Sequence, residues 1–184
     1  MAGRRLWLFV LFAGAGSLSG CAGRVDSAPV GARAESTIVR VVDGDTLDVR
    51  LRGGGTFTVR LLAVDSPESY DSRYGSGNEC GSHPAEVLLE RFVGRRVALV
   101  ADPSQADRDR YGRLLRYVEM PGSRDLGALE VTDGLAMPYP YGDPARRLGL
   151  YRRLARSARR EGRGSWSSCG GDFHSAVPGL QNGL

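Results

Sequence analysis

The sequence predicts an α+β domain that is mainly β: a five-stranded barrel of the OB type with three helices. Three observations carry that expectation. Apolar and polar residues alternate in short runs, at Leu47, Val49 and Leu51 and again at Phe57, Val59 and Leu61, which is the two-residue period of half-buried strands. Arg52-Gly53-Gly54-Gly55 separates those runs and supplies a hairpin turn. Further along, apolar residues three and four apart occupy three separate stretches, the period of amphipathic helices.

In order, residues 37–42 form a first strand and the hairpin adds two more. Residues 69–82, polar and rich in Gly, Ser and Tyr, read as a loop. Pro84 opens a short helix whose apolar face is Ala85, Leu88, Leu89 and Phe92, and Gly94 ends it. Residues 96–101 are apolar on both sides, so this fourth strand is expected to be buried on both faces. A charged loop at 102–109 leads to a fifth strand at 110–118, interrupted by Gly112. Ser123 caps a helix carrying Leu126, Leu129 and Val131, which stops at Gly134. The last helix spans 144–161, with Leu148, Tyr151, Leu154, Ala155 and Ala158 as its apolar stripe. Arg146, Arg147, Arg152, Arg153, Arg156, Arg159 and Arg160 cover the remainder and read mainly as a solvated face, secondarily as help for a polyanion. Trp166 is expected to pack back on the domain, which runs over 36–169 and leaves a tail at 170–184.

The 184 residues suit one domain with attachments. The formal charge is +4, and every one of the 25 basic residues is Arg. Bulk charge this small does not argue for nucleic-acid binding, so local arrangement must carry any such case.

Arg4 and Arg5 precede an apolar run at 6–15, and Leu18-Ser19-Gly20-Cys21 follows. A charged start, a short apolar stretch and small residues describe a secretory signal rather than a spanning helix. Leu18-Ser19-Gly20-Cys21 resembles the bacterial lipobox, which implies a signal peptide at 1–20 and lipid on the Cys21 thiol. An ordinary signal peptide with an incidental cysteine is the competing reading. Residues 21–35 read as a flexible tether, placing the domain on the extracytoplasmic face of a membrane, anchored or released. Cys80 and Cys169 remain. In an exported protein an isolated pair is most simply a disulfide, worth about 3–5 kcal/mol on the loop-entropy model. Metal ligation competes but lacks further Cys or His at suitable spacing. His83 and His174 are lone histidines, set aside as catalytic candidates.

The stretch 42–68 organises the chain. It opens on Asp43-Gly44-Asp45-Thr46 and closes on Arg60-Leu61-Leu62-Ala63-Val64-Asp65-Ser66-Pro67-Glu68. The hairpin brings its ends together, so Asp45 approaches Asp65 and Glu68. Arg60 has the opposite parity to Val59 and Leu61 and is expected to leave the core and face the same mouth. Hard oxygen ligands beside a planar phosphate-binding cation point to a divalent ion acting on a phosphate.

This stretch resembles the first active-site segment of the staphylococcal nuclease (thermonuclease) family. Asp107-Arg108-Asp109-Arg110-Tyr111-Gly112-Arg113 resembles the second, and Tyr139-Pro140-Tyr141 follows in the family's order, so the likeness spans about 36–166. The resemblance implies that Asp45 and Asp65 are carboxylate ligands of Ca2+ and that Ser66, in place of the usual threonine, gives a backbone carbonyl. Glu68 matches the proposed general base or water organiser, and Arg60 and Arg113 match the pair that holds the scissile phosphate. Arg110, Tyr111, Tyr139 and Tyr141 match substrate-contacting positions, while Asp43 and Asp109 are expected to order turns. The implied activity is calcium-dependent cleavage of DNA and RNA by a monomer, with little sequence preference and 3′-phosphate products. Alanine at Arg60, Glu68 or Arg113 is then expected to cost orders of magnitude in rate while sparing the fold. The loop at 69–82 departs from the family prototype: it carries Cys80 and has no Lys. A catalytically silent OB module is the rival, and retention of the carboxylate and arginine set argues against it.

Overall fold

The computed structural model describes residues 31–68, 80–140 and 142–174; Cys21 and its leader, Tyr141, most of the 69–82 loop and residues 175–184 lie outside them. Twelve elements follow in order. They are β1 (Arg33–Asp43), β2 (Thr46–Leu51), β3 (Thr56–Leu61), β4 (Val64–Asp65), α1 (Ser82–Glu90), β5 (Arg96–Val100), β6 (Leu114–Met120), β7 (Arg124–Asp125), α2 (Leu126–Asp133), β8 (Met137–Pro138), α3 (Leu148–Arg160) and α4 (Ser165–Ser168).

Strand order is β3-β2-β1-β5-β6-β7, and a parallel pairing of β3 with β6 closes β1, β2, β3, β5 and β6 into the expected five-stranded barrel. The hairpin register follows from the alternation: Leu47 faces Val59 and Val49 faces Phe57, with Leu47, Val49 and Val59 fully buried. Ile38, Leu99, Leu114 and Val118 complete the barrel interior, which Leu89, Leu126, Val131, Leu148 and Tyr151 cover from the helices.

Several boundaries differ from the sequence expectation, each for a local reason. β1 starts at Arg33, inside the stretch read as tether, because Arg33 through Thr37 pair with Val100 through Arg96 of β5. That pairing is made by the backbone, and the mostly exposed side chains of residues 33–35 leave no apolar period to read. The fifth barrel strand starts at Leu114 rather than 110. The Asp109 carboxylate accepts hydrogen bonds from the backbone N–H of Tyr111 and Arg113, each 2.9 Å, and folds 109–113 into a turn. α2 is capped by Asp125, whose carboxylate accepts from Gly127 N–H at 3.0 Å; Ser123 instead takes a positive φ of 58°. α3 begins at Leu148, and a short fourth helix, α4, carries Trp166 back against the core.

Arg147 departs from the solvated reading of its helix. It sits half-buried just ahead of α3, bonds Asp125 at 2.7 Å and also Glu119, and lies 4.2 Å over the Tyr117 ring. The neighbouring Asp102 is enclosed by the same corner. Burial alone would raise its carboxyl. Hydrogen bonds from the Tyr117 hydroxyl and the N–H groups of Ser104 and Arg146 outweigh that and hold it at about 2. A carboxylate depressed on folding stabilises above its unfolded value and loses that contribution as pH falls toward the folded one. Asp102→Asn is therefore expected to flatten the acid limb of the stability curve between about pH 4 and pH 2, at a cost near neutrality of about 2 kcal/mol. Urea midpoints across that window check it, and an unchanged slope would contradict the assignment.

Among the described residues no helix is long and apolar enough to cross a membrane.

Candidate active site

The site is built on the two turns at one mouth of the barrel. Gly44-Asp45 forms the tight turn between β1 and β2, where Asp43 faces Thr46. The Asp43 carboxylate accepts from Asp45 N–H at 3.1 Å and orders the turn as expected. Glycine is required at 44 because a Cβ there would meet Ser66 Oγ at 2.5 Å and Ala85 Cβ at 2.8 Å. The register of β2 with β3 then sets Thr46 opposite Arg60, which places Asp45 beside the end of β3.

Arg60 is the centre. Its Nη1 lies 2.7 Å from Asp45 Oδ2 and its Nη2 lies 2.7 Å from Asp65 Oδ1. Nη1 also donates to the Val64 carbonyl at 2.9 Å, closing the turn that follows β3. The expected convergence of Asp45 and Asp65 is thus present, with one guanidinium spanning both. The expectation that Arg60 leaves the core needs correction: it faces the mouth but is only 4% exposed. Asp45 is equally enclosed. Its Oδ2 also accepts from Ser66 N–H at 3.0 Å, and its Oδ1 accepts from the Thr46 hydroxyl at 3.1 Å.

Thr46 extends the cluster toward the second segment, since its hydroxyl lies 3.4 Å from Arg113 Nη1. Arg113 Nε holds Asp109 at 2.6 Å. Tyr111 is 54% exposed and flanked by cations, with Arg110 at 4.7 Å and Arg113 at 5.3 Å from its ring centre. Tyr139 is 42% exposed and is carried to the mouth by the pairing of β4 with β8 and by its own N–H donating to the Ala63 carbonyl at 3.0 Å. Glu68 is half-buried, three positions beyond Asp65. Cys80 and Cys169 are joined, with an S–S distance of 1.99 Å.

The donor set suits a hard divalent cation. Asp45 and Asp65 share the single guanidinium of Arg60, and Asp43 lies against Asp45, so this part of the mouth holds three carboxylates around one cation. Burial pushes the Asp45 carboxyl well above the usual range; Arg60 opposes this and Asp43 adds to it. Oxygen ligands of this kind fit calcium, which tolerates loose coordination. Among the described residues no three Asp, Glu, His or Cys side chains gather as ligands of one ion, so carbonyls and water would complete the shell.

Three contributors escaped sequence reasoning. Thr46 looked like an ordinary strand residue. Glu130 is fully buried on α2, and among the described residues neither of its carboxylate oxygens has a hydrogen-bond partner. Burial drives its carboxyl well above the usual range, with Asp45 adding to the effect. A signal existed, because Glu130 stands four residues after the core residue Leu126 and shares its face. His174, set aside as a lone histidine, reaches Asp65, with Nε2 3.4 Å from Oδ2.

A closed OB-type barrel with carboxylates and arginines gathered at one mouth is the architecture of a hydrolase acting on nucleic acid, and relatives of the chain bear on that class. Residues 58–168 match the family described as staphylococcal nuclease homologue. The chain is 32% identical to a micrococcal nuclease of Shigella flexneri over 149 residues, covering 77% of this chain and 78% of that one. It is 33% identical to the protein ParB of Escherichia coli over 162 residues, 84% and 82% of the two chains. An uncharacterized endonuclease of Escherichia coli O157:H7 is 28% identical over 130 residues, 71% and 75% of the two. The chain belongs to the staphylococcal nuclease homologue family and is a nuclease.

Proposed function

We propose that the chain is a calcium-dependent endonuclease that works outside the cytoplasm, tethered to a membrane surface by lipid on Cys21. It hydrolyses DNA and RNA with little sequence preference and leaves 3′-phosphates. The observation that carries the reading is the shared guanidinium: Arg60 lies 2.7 Å from each of two carboxylates, and Arg113 is linked to the same cluster through Thr46.

In this reading Asp45, Asp65 and the Ser66 carbonyl hold the ion, which when bound supplies positive charge to the scissile phosphate. Arg60 and Arg113 bind the non-bridging oxygens through paired N–H donors and stabilise the charge that builds on them in the transition state. In the absence of substrate Arg60 Nη1 and Nη2 hold Asp45 and Asp65, so those contacts must loosen for the guanidinium to take a phosphate, and an ion on the two carboxylates would favour that exchange. Glu68 takes a proton from the attacking water or holds that water in line. Tyr111 and Tyr139 offer exposed rings to the flanking nucleotides, with Arg110 beside the first and Tyr141 next along the chain.

The test uses purified protein with Cys80 and Cys169 oxidised, incubated with single-stranded DNA or RNA in calcium or in chelator, followed by identification of the product ends. Calcium-dependent cleavage with 3′-phosphate ends is expected. Tight binding without cleavage under any divalent metal would replace the reading with a silent OB module.

A further inference from the structure

Residues 170–174, which follow the disulfide, are folded back on the domain rather than left as a frayed tail. Cys169 is fastened to Cys80. Gly171 N–H donates to the Ser165 carbonyl at 3.0 Å and Asp172 N–H to the Cys169 carbonyl at 3.2 Å. Phe173 is 2% exposed and packs edge-on against Trp166, with ring centres 4.9 Å apart. Position 171 is a glycine at φ 80°, and a Cβ there would crowd the Trp166 ring at 3.0 Å. His174 N–H then donates to the Asp172 carboxylate at 3.1 Å, which turns the imidazole toward the mouth.

The imidazole stands beside Asp65 Oδ2, while Arg60 holds Oδ1. Arg60 Nη2 takes Oδ1 at 2.7 Å, and His174 Nε2 stands 3.4 Å from Oδ2. We propose that His174 is a positioning residue for the Asp65 carboxylate, and that the disulfide-held segment 169–174 is part of the active site. The inference rests on the proposed role of Asp65 as a metal ligand. A carboxylate held at one oxygen by Arg60 and flanked at the other by the imidazole has less torsional freedom before an ion arrives, so less ordering accompanies binding. Partners behind a ligand act in this way on metal affinity. The disulfide matters because it anchors one end of the short segment that carries the imidazole.

The test is calorimetric titration of the oxidised protein with calcium, in the absence of nucleic acid. His174→Ala is expected to weaken calcium binding by about tenfold, and His174→Gln, which keeps an N–H at similar reach, to recover part of it. The His174 side chain is 45% exposed, so thermal midpoints of both variants should match the parent. In a Cys80→Ser, Cys169→Ser background the further change His174→Ala is expected to add little, because the imidazole is no longer held in place. Asp65→Asn is the reference. If it weakens calcium binding while His174→Ala leaves the affinity unchanged or tighter, the positioning role is overturned and the metal site stands. If Asp65→Asn has no effect, the metal reading falls, and this inference falls with it.

Discussion

Arg60→Ala is expected to abolish cleavage and also to destabilise the protein by about 3–5 kcal/mol, because it leaves an enclosed carboxylate without its counter-charge. The double effect comes from where the side chain sits. A solvated phosphate clamp could be removed at little cost to the fold, which is what sequence parity predicted for Arg60. The guanidinium is instead almost inaccessible and joins Asp45, Asp65 and the Val64 carbonyl. Lysine keeps the charge but not the fork, so Arg60→Lys should recover part of the stability and little of the rate. Arg113→Ala is the contrast: its carboxylate partner, Asp109, sits in a more open turn, and a rate loss of about 10³-fold or more should come without comparable destabilisation. Urea midpoints and single-turnover rates on the three variants separate the two effects. A stable, inactive Arg60→Ala would show that Asp45 finds relief elsewhere.

Asp45→Asn is expected to eliminate calcium-dependent activity while holding or raising the thermal midpoint at neutral pH. Burial raises the Asp45 carboxyl on folding, with Asp43 adding to it, so the native state binds a proton more readily than the unfolded chain. Stability therefore falls as pH climbs from the unfolded value through the raised folded one, and an amide is spared that loss. Asparagine can still accept from Ser66 N–H, and Arg60 keeps Asp65. Melting curves recorded without metal should show the variant gaining on the parent as pH rises and no gain at the acid end. A variant less stable than the parent at every pH would mean that the Arg60 pair outweighs desolvation. Activity bought at the expense of stability is common where charge is concentrated for chemistry.

The hairpin and the convergence of Asp45 with Asp65 were legible because a two-residue period fixes both register and face, and register alone sets Thr46 opposite Arg60. The order of elements and the barrel class were legible for the same reason. What escaped was whatever depends on contacts without a period. The two-residue strands β4 and β8, which carry Asp65 and lead Tyr139 to the mouth, are too short to have one. The start of β1 is a backbone pairing with β5, and its own side chains, at 33–35, are mostly exposed. Arg60's burial follows from partners on other turns, and parity reports only direction. Cys80 and Cys169 lie joined in the structure, yet nothing in their spacing told that His174, five positions beyond, would arrive beside Asp65.

The seam between β3 and β6 joins Arg60 to Leu115, some fifty-five positions apart, and Arg60 and Arg113 stand on its two sides. Contacts that distant in sequence are slow to form, since loop entropy must be spent before they stabilise anything. The two guanidiniums come to one mouth only once the barrel has shut, so an unfolded copy carries every side chain of the site without having the site. An unfinished or unfolded chain therefore lacks the assembled site, and nuclease activity begins only with closure.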